Sequence, residues 1–297
     1  MNKRAIIAMS GGVDSSVAAY LMKEQGYDCM GVTMKLFDNE EVGVSREYTC
    51  CSLEDVEDAR SVAYALEIPY HVFNFSEDFE KNVIARFIHA YENGITPNPC
   101  IDCNRYLKFD RLYRRAAELG YDYVATGHYA QIERDPISGR YLLKKAVDPD
   151  KDQSYVLYAM TQEQLAHTRF PLGNLTKAQT RKIAQTQRFV NARKHDSQDI
   201  CFVPDGNYAN FIEQYTGKCY PQGDFVDCNG NTLGKHRGII RYTVGQRKGL
   251  GLSFPEPMYV CAVNPLDHSV TLGKKLELYS KTLLAKDINL ISVPCIR

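Results

Sequence analysis

The chain has 297 residues, equal numbers of basic and acidic side chains (36 each) and 44% hydrophobic residues. That balance is ordinary for a folded chain of about two domains and excludes disordered and fibrous classes. No apolar run approaches the roughly 18 residues of a membrane helix, and the N-terminal sequence lacks a secretory pattern. The ten cysteines are therefore expected as thiols, metal ligands or catalysts in a reducing cytosol.

A strand is expected over Lys3–Met9, then a helix from Ser15 to Gln25 with Val17, Ala18, Leu21 and Met22 at helical spacing and Gly26 as its stop. Asp28–Leu36 reads as a second strand. Ser52-Leu53-Glu54-Asp55 resembles a capping box and opens a helix with Val56, Ala59, Ala63 and Leu66 on one face. Tyr70–Phe75 follows as a third strand. Phe79, Val83, Phe87 and Tyr91 mark another helix, and Arg105–Leu119 one more, closed by Gly120. Tyr121–Thr126 is a fourth strand. This alternation argues for an α/β fold with a parallel sheet covered on both faces. Ligands in such folds sit at the carboxyl ends of the strands, where Ser10–Ser16, Met34 and Thr126-Gly127-His128 all fall.

The middle of the chain reads as helical and polar. Thr176-Lys177-Ala178-Gln179 forms a capping box before a basic helix with Arg181, Lys182 and Arg188. Residues 164–250 hold 13 Lys and Arg against 6 Asp and Glu, which points to a local polyanion site. From about Gly217 the texture turns Gly-rich, with strands expected at Tyr242–Val244 and Tyr259–Val263 around a turn at Gln246–Gly251.

The first strand-to-helix turn reads Ser10-Gly11-Gly12-Val13-Asp14-Ser15-Ser16. Glycines let the backbone approach a ligand, and the N–H groups and dipole of the following helix favour an anion. The serines add hydroxyl donors, so a phosphate chain is the expected ligand. Asp14 would repel a phosphate unless a divalent cation stood between them, so it is assigned as a magnesium ligand. The alternatives are a structural glycine turn and a near match to the Gly-x-Ser-x-Gly nucleophile elbow. A Walker A loop is excluded because no Lys follows, and a dinucleotide Gly-x-Gly-x-x-Gly is absent.

Cys103 lies in Thr96-Pro97-Asn98-Pro99-Cys100-Ile101-Asp102-Cys103-Asn104, a loop stiffened by two prolines before a helix that would lower a thiol pKa. Cys201 lies in the polar stretch Asp196–Phe202. Both invite redox or sulfur-transfer roles, whereas Cys29, Cys219, Cys228, Cys261 and Cys295 read as small buried hydrophobes. A zinc site on Cys50, Cys51, Cys100 and Cys103 has poor spacing. An iron–sulfur cluster on Cys100, Cys103 and Cys201 is chemically reasonable.

The Ser-Gly-Gly-Val-Asp-Ser turn resembles the PP-loop of ATP pyrophosphatases. Thr-Pro-Asn-Pro before Cys103-Asn104, Ala125-Thr126-Gly127-His128-Tyr129-Ala130, Lys151-Asp152-Gln153-Ser154-Tyr155, Asp196–Phe202 and Gly245-Gln246-Arg247-Lys248-Gly249-Leu250-Gly251 are similar, in order, to the motifs of the tRNA-specific 2-thiouridylases. The resemblance implies three parts. Residues 1–205 would form a parallel-sheet PP-loop catalytic domain with a basic tRNA-binding segment at about 160–200, residues 206–272 a small central domain, and residues 273–297 the start of a β-barrel domain cut short. It implies ATP on Ala8, Met9, Ser10, Gly11, Gly12, Val13, Asp14 and Ser15, with Met34 and Gly127 lining the nucleotide. The wobble uridine would be flipped toward Asn98, Pro99 and Cys100, with His128, Lys151, Asp152 and Gln153 also touching tRNA.

The uridine C2 oxygen would be adenylated, and Cys201 would carry a persulfide from a sulfur-donor protein. Cys103 would then resolve the reaction, leaving a Cys103–Cys201 disulfide. In the form the motif usually takes, an Asp stands where this chain has Cys100. That departure creates the Cys-x-x-Cys and keeps open the alternative of a 4Fe–4S cluster on Cys100, Cys103 and Cys201. A cytoplasmic monomer is expected. A PP-loop synthetase acting on a small substrate and a non-enzymatic tRNA-binding module are the other functional alternatives.

Overall fold

The computed structural model describes residues 3–37, 53–196, 200–203 and 206–295. The first strand, β1 (Arg4–Ala8), is apolar enough to lie at the centre of a sheet, and it does. It leads into α1 (Val13–Glu24), β2 (Asp28–Lys35), α2 (Leu53–Ala65) and β3 (Tyr70–Asn74). Two longer helical runs follow. One is α3 (Ser76–Phe79), a π-helical turn over Glu80–Ile84, and α4 (Ala85–Glu92). The other is α5 (Pro99–Asp102), a π-helical stretch over Cys103–Arg111, and α6 (Leu112–Glu118). The widened turns occupy the middle of helices that the apolar spacing anticipates. Next come β4 (Tyr123–Ala125), the hairpin β5 (Ala130–Arg134) and β6 (Tyr141–Lys145), α7 (Gln162–Ala166), β7 (Thr168–Arg169) and α8 (Lys177–Thr186). The second part holds α9 (Tyr208–Thr216), β8 (Gly223–Val226), β9 (Thr232–His236), β10 (Tyr259–Asn264) and β11 (Ser269–Gly273).

The first sheet has the order β3-β2-β1-β4-β7, and its printed pairings are all parallel. Successive strand residues face opposite sides. Ile6, Val32 and Val124 therefore enter one apolar layer with Phe79, Phe87 and Phe202, while Ala5, Ile7 and Ala125 enter another with Val17 and Met22 of α1 and Ala184 of α8. Burial on both faces explains why these strands read as continuous apolar runs. Each fully buried Ile contributes about 1.5–3 kcal/mol. Cys29 belongs to the second layer, and burial first, then Asp28, pushes its thiol up to about 11, as expected of an inert core cysteine.

Three elements differ from the sequence-based expectation. The fifth parallel strand, β7, is only two residues long and lies in a stretch read as helical. Backbone pairing with β4 defines it, and Arg169 lies over the Tyr123 ring at 3.9 Å. The β5–β6 hairpin was likewise hidden in polar sequence. Tyr242–Val244 is not a strand; it follows a tight turn at Ile239–Arg241, and the four-stranded sheet β10-β11-β8-β9 uses Gly223–Val226 and Thr232–His236 instead. Among the described residues, 279–295 form no strand. This segment returns to the first part, where Asn289 donates to the carbonyls of Tyr158 and Met160, and Arg140 donates to those of Leu290 and Ile291. The Ser52 of the expected capping box lies outside the described residues.

Candidate functional site

The glycine turn sits at the carboxyl end of β1, the middle strand of the sheet. Gly11 adopts φ +74°, and a Cβ there would stand 2.3 Å from the Asp55 carbonyl oxygen, so the position needs glycine for both conformation and space. Gly12 caps α1 in an extended conformation without a side-chain hydrogen bond, which leaves N–H groups of the first turn available to a ligand. The serines brace the turn. Ser15 Oγ accepts from the Ser10 N–H at 3.1 Å and donates to the Gly12 carbonyl at 3.1 Å, while Ser16 Oγ donates to the same carbonyl at 3.0 Å. The Thr126–Gly127 turn approaches from β4; a Cβ on Gly127 would lie 2.8 Å from the Asp14 carbonyl carbon and the Ser15 nitrogen. Met34 closes the same end of the sheet from β2, buried at its tip. Ala8, Met9, Ser10, Val13, Asp14, Ser15, Met34 and Gly127 are thus brought to one end of the sheet.

A second layer of residues, from 129 to 194, clamps this turn. Asn191, 3% exposed, donates to the Gly11 carbonyl at 2.8 Å and to Ser16 Oγ at 2.9 Å, leaving its own Oδ1 buried with no hydrogen-bond partner among the described residues. Lys177 Nζ reaches both carboxylate oxygens of Asp14, at 2.7 and 2.8 Å, and Asp196 at 2.7 Å. The Tyr129 hydroxyl also meets Asp14 at 2.9 Å and Thr180 Oγ1 at 3.0 Å; burial, with Asp14 adding, holds its ionisation far above the usual phenol range. Lys194 Nζ spans Asp55 at 2.7 Å and Asp58 at 2.6 Å on α2. Asp196 takes Lys151 at 2.8 Å and Arg181 at 2.8 Å besides Lys177. Burial pushes the Asp196 carboxyl up, but the hydrogen bonds and charges of Lys151 and Lys177 outweigh it and bring it down to about 2.

This network corrects two expectations. Asp14 does not present a divalent-cation site: its carboxylate is chelated by an ammonium, and that donor set leaves the magnesium assignment without support from this geometry. Arg181 does not face outward for phosphate contact, because it donates to the Lys194 carbonyl at 3.1 Å and to Asp196. Lys182 and Arg188 remain exposed on that helix and at its end.

On the other side of the sheet end, Asn98 caps α5 by accepting from the Cys100 N–H at 3.1 Å, and Pro99 is buried beside it. Cys100 is exposed, while Cys103 opens the π-helical stretch half-buried. Cys103 and Cys201 pack against the same apolar cluster. Phe202, next to Cys201, is fixed within it by ring contacts of 5.6 Å to Phe79, 5.2 Å to Phe87 and 5.2 Å to Phe211. Asn104 is buried and donates to the Val156 carbonyl at 3.2 Å, which ties the loop to the layer beneath. Among the described residues, no three His, Cys, Asp or Glu side chains gather as a metal-ligand set. Cys100 is exposed, whereas Cys103 and Cys201 are half-buried. Cys50 and Cys51 of the zinc alternative lie outside the described residues.

The residues expected at tRNA divide. Lys151 keeps its ammonium at the surface network with Asp196. Asp152 instead organises its own loop, accepting from the Ala146 N–H at 2.9 Å and from Ser154 Oγ at 2.8 Å. Gln153 Oε1 accepts from the Tyr129 N–H at 3.0 Å. His128 is 8% exposed, stands between Phe109 and Phe170, and pairs with Thr126 Oγ1 at 2.7 Å. Burial, then the Lys108 charge, holds it neutral, well below the usual histidine range. It is a packing residue in this structure, not an exposed RNA contact. Sequence reading missed Tyr129, Lys177, Asn191 and Lys194 as site residues; the capping box before Lys177 located its helix but not its reach to Asp14.

The family described as "tRNA methyl transferase HUP domain" matches residues 3–205, and "tRNA methyl transferase PRC-barrel domain" matches residues 209–274. The chain is 54% identical over 293 residues to the tRNA-specific 2-thiouridylase MnmA of Clostridioides difficile, covering 99% of this chain and 81% of that protein. It is 51% identical to the same-named protein of Clostridium kluyveri, covering 98% and 81%. Among solved structures, an NMN synthetase from Francisella tularensis aligns with a TM-score of 0.41 at 16% identity, over 73% of this chain and 78% of that one.

Proposed function

The chain belongs to the tRNA-specific 2-thiouridylase family, and from that premise we propose that it replaces the C2 oxygen of the tRNA wobble uridine with sulfur at the expense of ATP. The observation that carries this reading is the serine-rich glycine turn at the carboxyl end of the central strand, with Cys103 and Cys201 packed on one apolar cluster of the same domain. A methyl transfer, the wording of the family descriptions, gives neither of those features a task.

In this reading the triphosphate lies on the free N–H groups of residues 11–15 and the Ser10 hydroxyl, with Met34 and Gly127 beside the nucleoside. Asn98 and Pro99 receive the flipped base, its unstacking supported by phosphate contacts elsewhere on the RNA. The uridine C2 oxygen attacks the α-phosphorus and pyrophosphate leaves, which converts a poor leaving group into AMP. Cys201 carries a sulfane sulfur from a persulfide donor protein. Its terminal sulfur attacks C2 and AMP departs. The Cys103 thiolate then attacks Cys201 Sγ, so the bridging S–S bond breaks and the thiolate stays on C2. The resulting Cys103–Cys201 disulfide needs two electrons from a dithiol reductant before the next turnover. No step in this reading is routed through magnesium at Asp14 or through an iron–sulfur cluster. The domain division at residues 205–206 and a monomeric, cytosolic enzyme complete the proposal.

The test is mass spectrometry of tRNA incubated with the protein, ATP and a persulfide donor. The expected result is a gain at the wobble uridine equal to the difference between sulfur and oxygen, with pyrophosphate released in step. ATP-dependent product lacking that gain would reject the proposal in favour of another PP-loop synthetase. RNA binding that survives Asp14→Asn with no pyrophosphate from the wild type would point to a binding module.

A further inference from the structure

The small sheet of the second part brings together two cysteines that the proposed reaction does not use. Cys228 lies two residues beyond the end of β8, and Cys261 lies in β10. In the order β10-β11-β8-β9, strand β11 runs between them. Strands two places apart are separated by about 9–10 Å, too far for regular ladder positions to join through two cysteines. Two local features narrow that gap. The β10–β11 register shifts between Val260 and Ala262, so Cys261 is the bulged residue, and a bulge re-aims its side chain. Strand β11 ends in Gly273, where a Cβ would stand 2.8 Å from Cys261 Sγ; its absence leaves room over the strand end. From the other side Cys228 Sγ lies 4.0 Å from the carbonyl oxygen of Leu272, the residue before that glycine. Both sulfurs thus approach the Leu272–Gly273 end of β11 from opposite sides, and Glu277 Oε2 stands there as well, 2.5 Å from where a Gly273 Cβ would lie. Cys228 is exposed and Cys261 half-buried, so a reagent reaches the pair from solvent through Cys228.

We propose that Cys228 and Cys261 form a second thiol–disulfide site, which a low-molecular-weight disulfide oxidises to a bond across β11. Cys228, after losing its proton to solvent, attacks one sulfur of the small disulfide; that S–S bond breaks and one thiolate leaves. Cys261 loses its proton and attacks the Cys228 sulfur of the mixed disulfide, expelling the second thiolate. The protein pair gives up two electrons and two protons, and the small disulfide is reduced to two thiols. The link fastens the turn after β8 to the bulge of β10 and forms without Cys103 or Cys201.

The test uses the full chain as wild type and as Cys103→Ser/Cys201→Ser, which removes the other pair expected to exchange. Each is incubated anaerobically with oxidised glutathione, alkylated, digested and mapped by mass spectrometry. The expected result is a Cys228–Cys261 cross-linked peptide in both proteins, lighter than its two free peptides by two hydrogen atoms and lost on reduction. Cys261→Ser should instead stop at a glutathione adduct on Cys228. The inference is overturned if Cys228 accumulates an adduct without the cross-link while Cys261 is present, if neither cysteine reacts, or if cross-links to the exposed Cys219 and Cys295 are as frequent. Cys228→Ser should thiolate tRNA as fast as wild type under reducing conditions, so failure of this inference and failure of the proposed reaction are read separately.

Discussion

Replacing Lys177 with Met removes an ammonium that lies 2.7 Å from Asp14 and 2.7 Å from Asp196 and is itself only 12% exposed. At an effective dielectric constant of about 20, each contact has a gross attraction of about 6 kcal/mol. Desolvating the ammonium offsets much of that, and stripping one partner from a buried pair typically costs about 3–5 kcal/mol. Asp14 is 30% exposed and Asp196 keeps Lys151 and Arg181, so the discounted expectation is about 2–3 kcal/mol. For a chain of this size that corresponds to a fall in Tm of about 4–12 °C. Scanning calorimetry or urea unfolding reads the change. Because the cost arises from a carboxylate left without its cation, Lys177→Met/Asp14→Asn should recover part of it. An unpaired Asp14 also repels the triphosphate, so pyrophosphate release by Lys177→Met should need about tenfold more ATP, equivalent to about 1.4 kcal/mol. The reasoning is refuted if Lys177→Met unfolds within about 0.5 kcal/mol of wild type, the range of an ordinary surface change.

Gly127→Ala places a Cβ 2.8 Å from backbone atoms of Asp14 and Ser15; it should cost about 1–3 kcal/mol in urea unfolding and raise the KM for ATP more than it lowers kcat. Asp196, held at about 2 against an ordinary 3.8, has a depressed folded-state pKa, so its contribution is fully present above the ordinary value and is lost as pH falls from about 4 to 2. That amounts to about 2 kcal/mol, and Asp196→Asn should flatten the stability curve in that window while leaving its shape above pH 5 unchanged. Cys103→Ser should still release pyrophosphate in the presence of tRNA but should accumulate no free 2-thiouridine, as seen by nucleoside mass spectrometry. Lys182→Ala/Arg188→Ala should lower the slope of log tRNA affinity against log salt by about 1–2 with little change in Tm.

The strand–turn–helix around Ser10–Ser16 was legible because its determinants are local: an apolar run, two glycines and a helical repeat lie within some twenty residues. The same holds for the alternation that gives the parallel sheet and for the capping box before Lys177, which all depend on near neighbours in the chain. What the linear sequence concealed is the pairing over distance. The excess of basic residues between 164 and 250 read as an outward polyanion site, yet Lys177 and Lys194 are directed to Asp14, Asp55 and Asp58, acidic residues more than a hundred positions away. Arg181 is likewise committed to Asp196. His128 fell at a strand end where ligands bind, but packing of Phe109 and Phe170 from other elements buried it. Composition registers how many charges and rings a segment holds; only the packed sheet brings their partners within 3 Å, and burial then decides whether each side chain faces a ligand or another part of the protein.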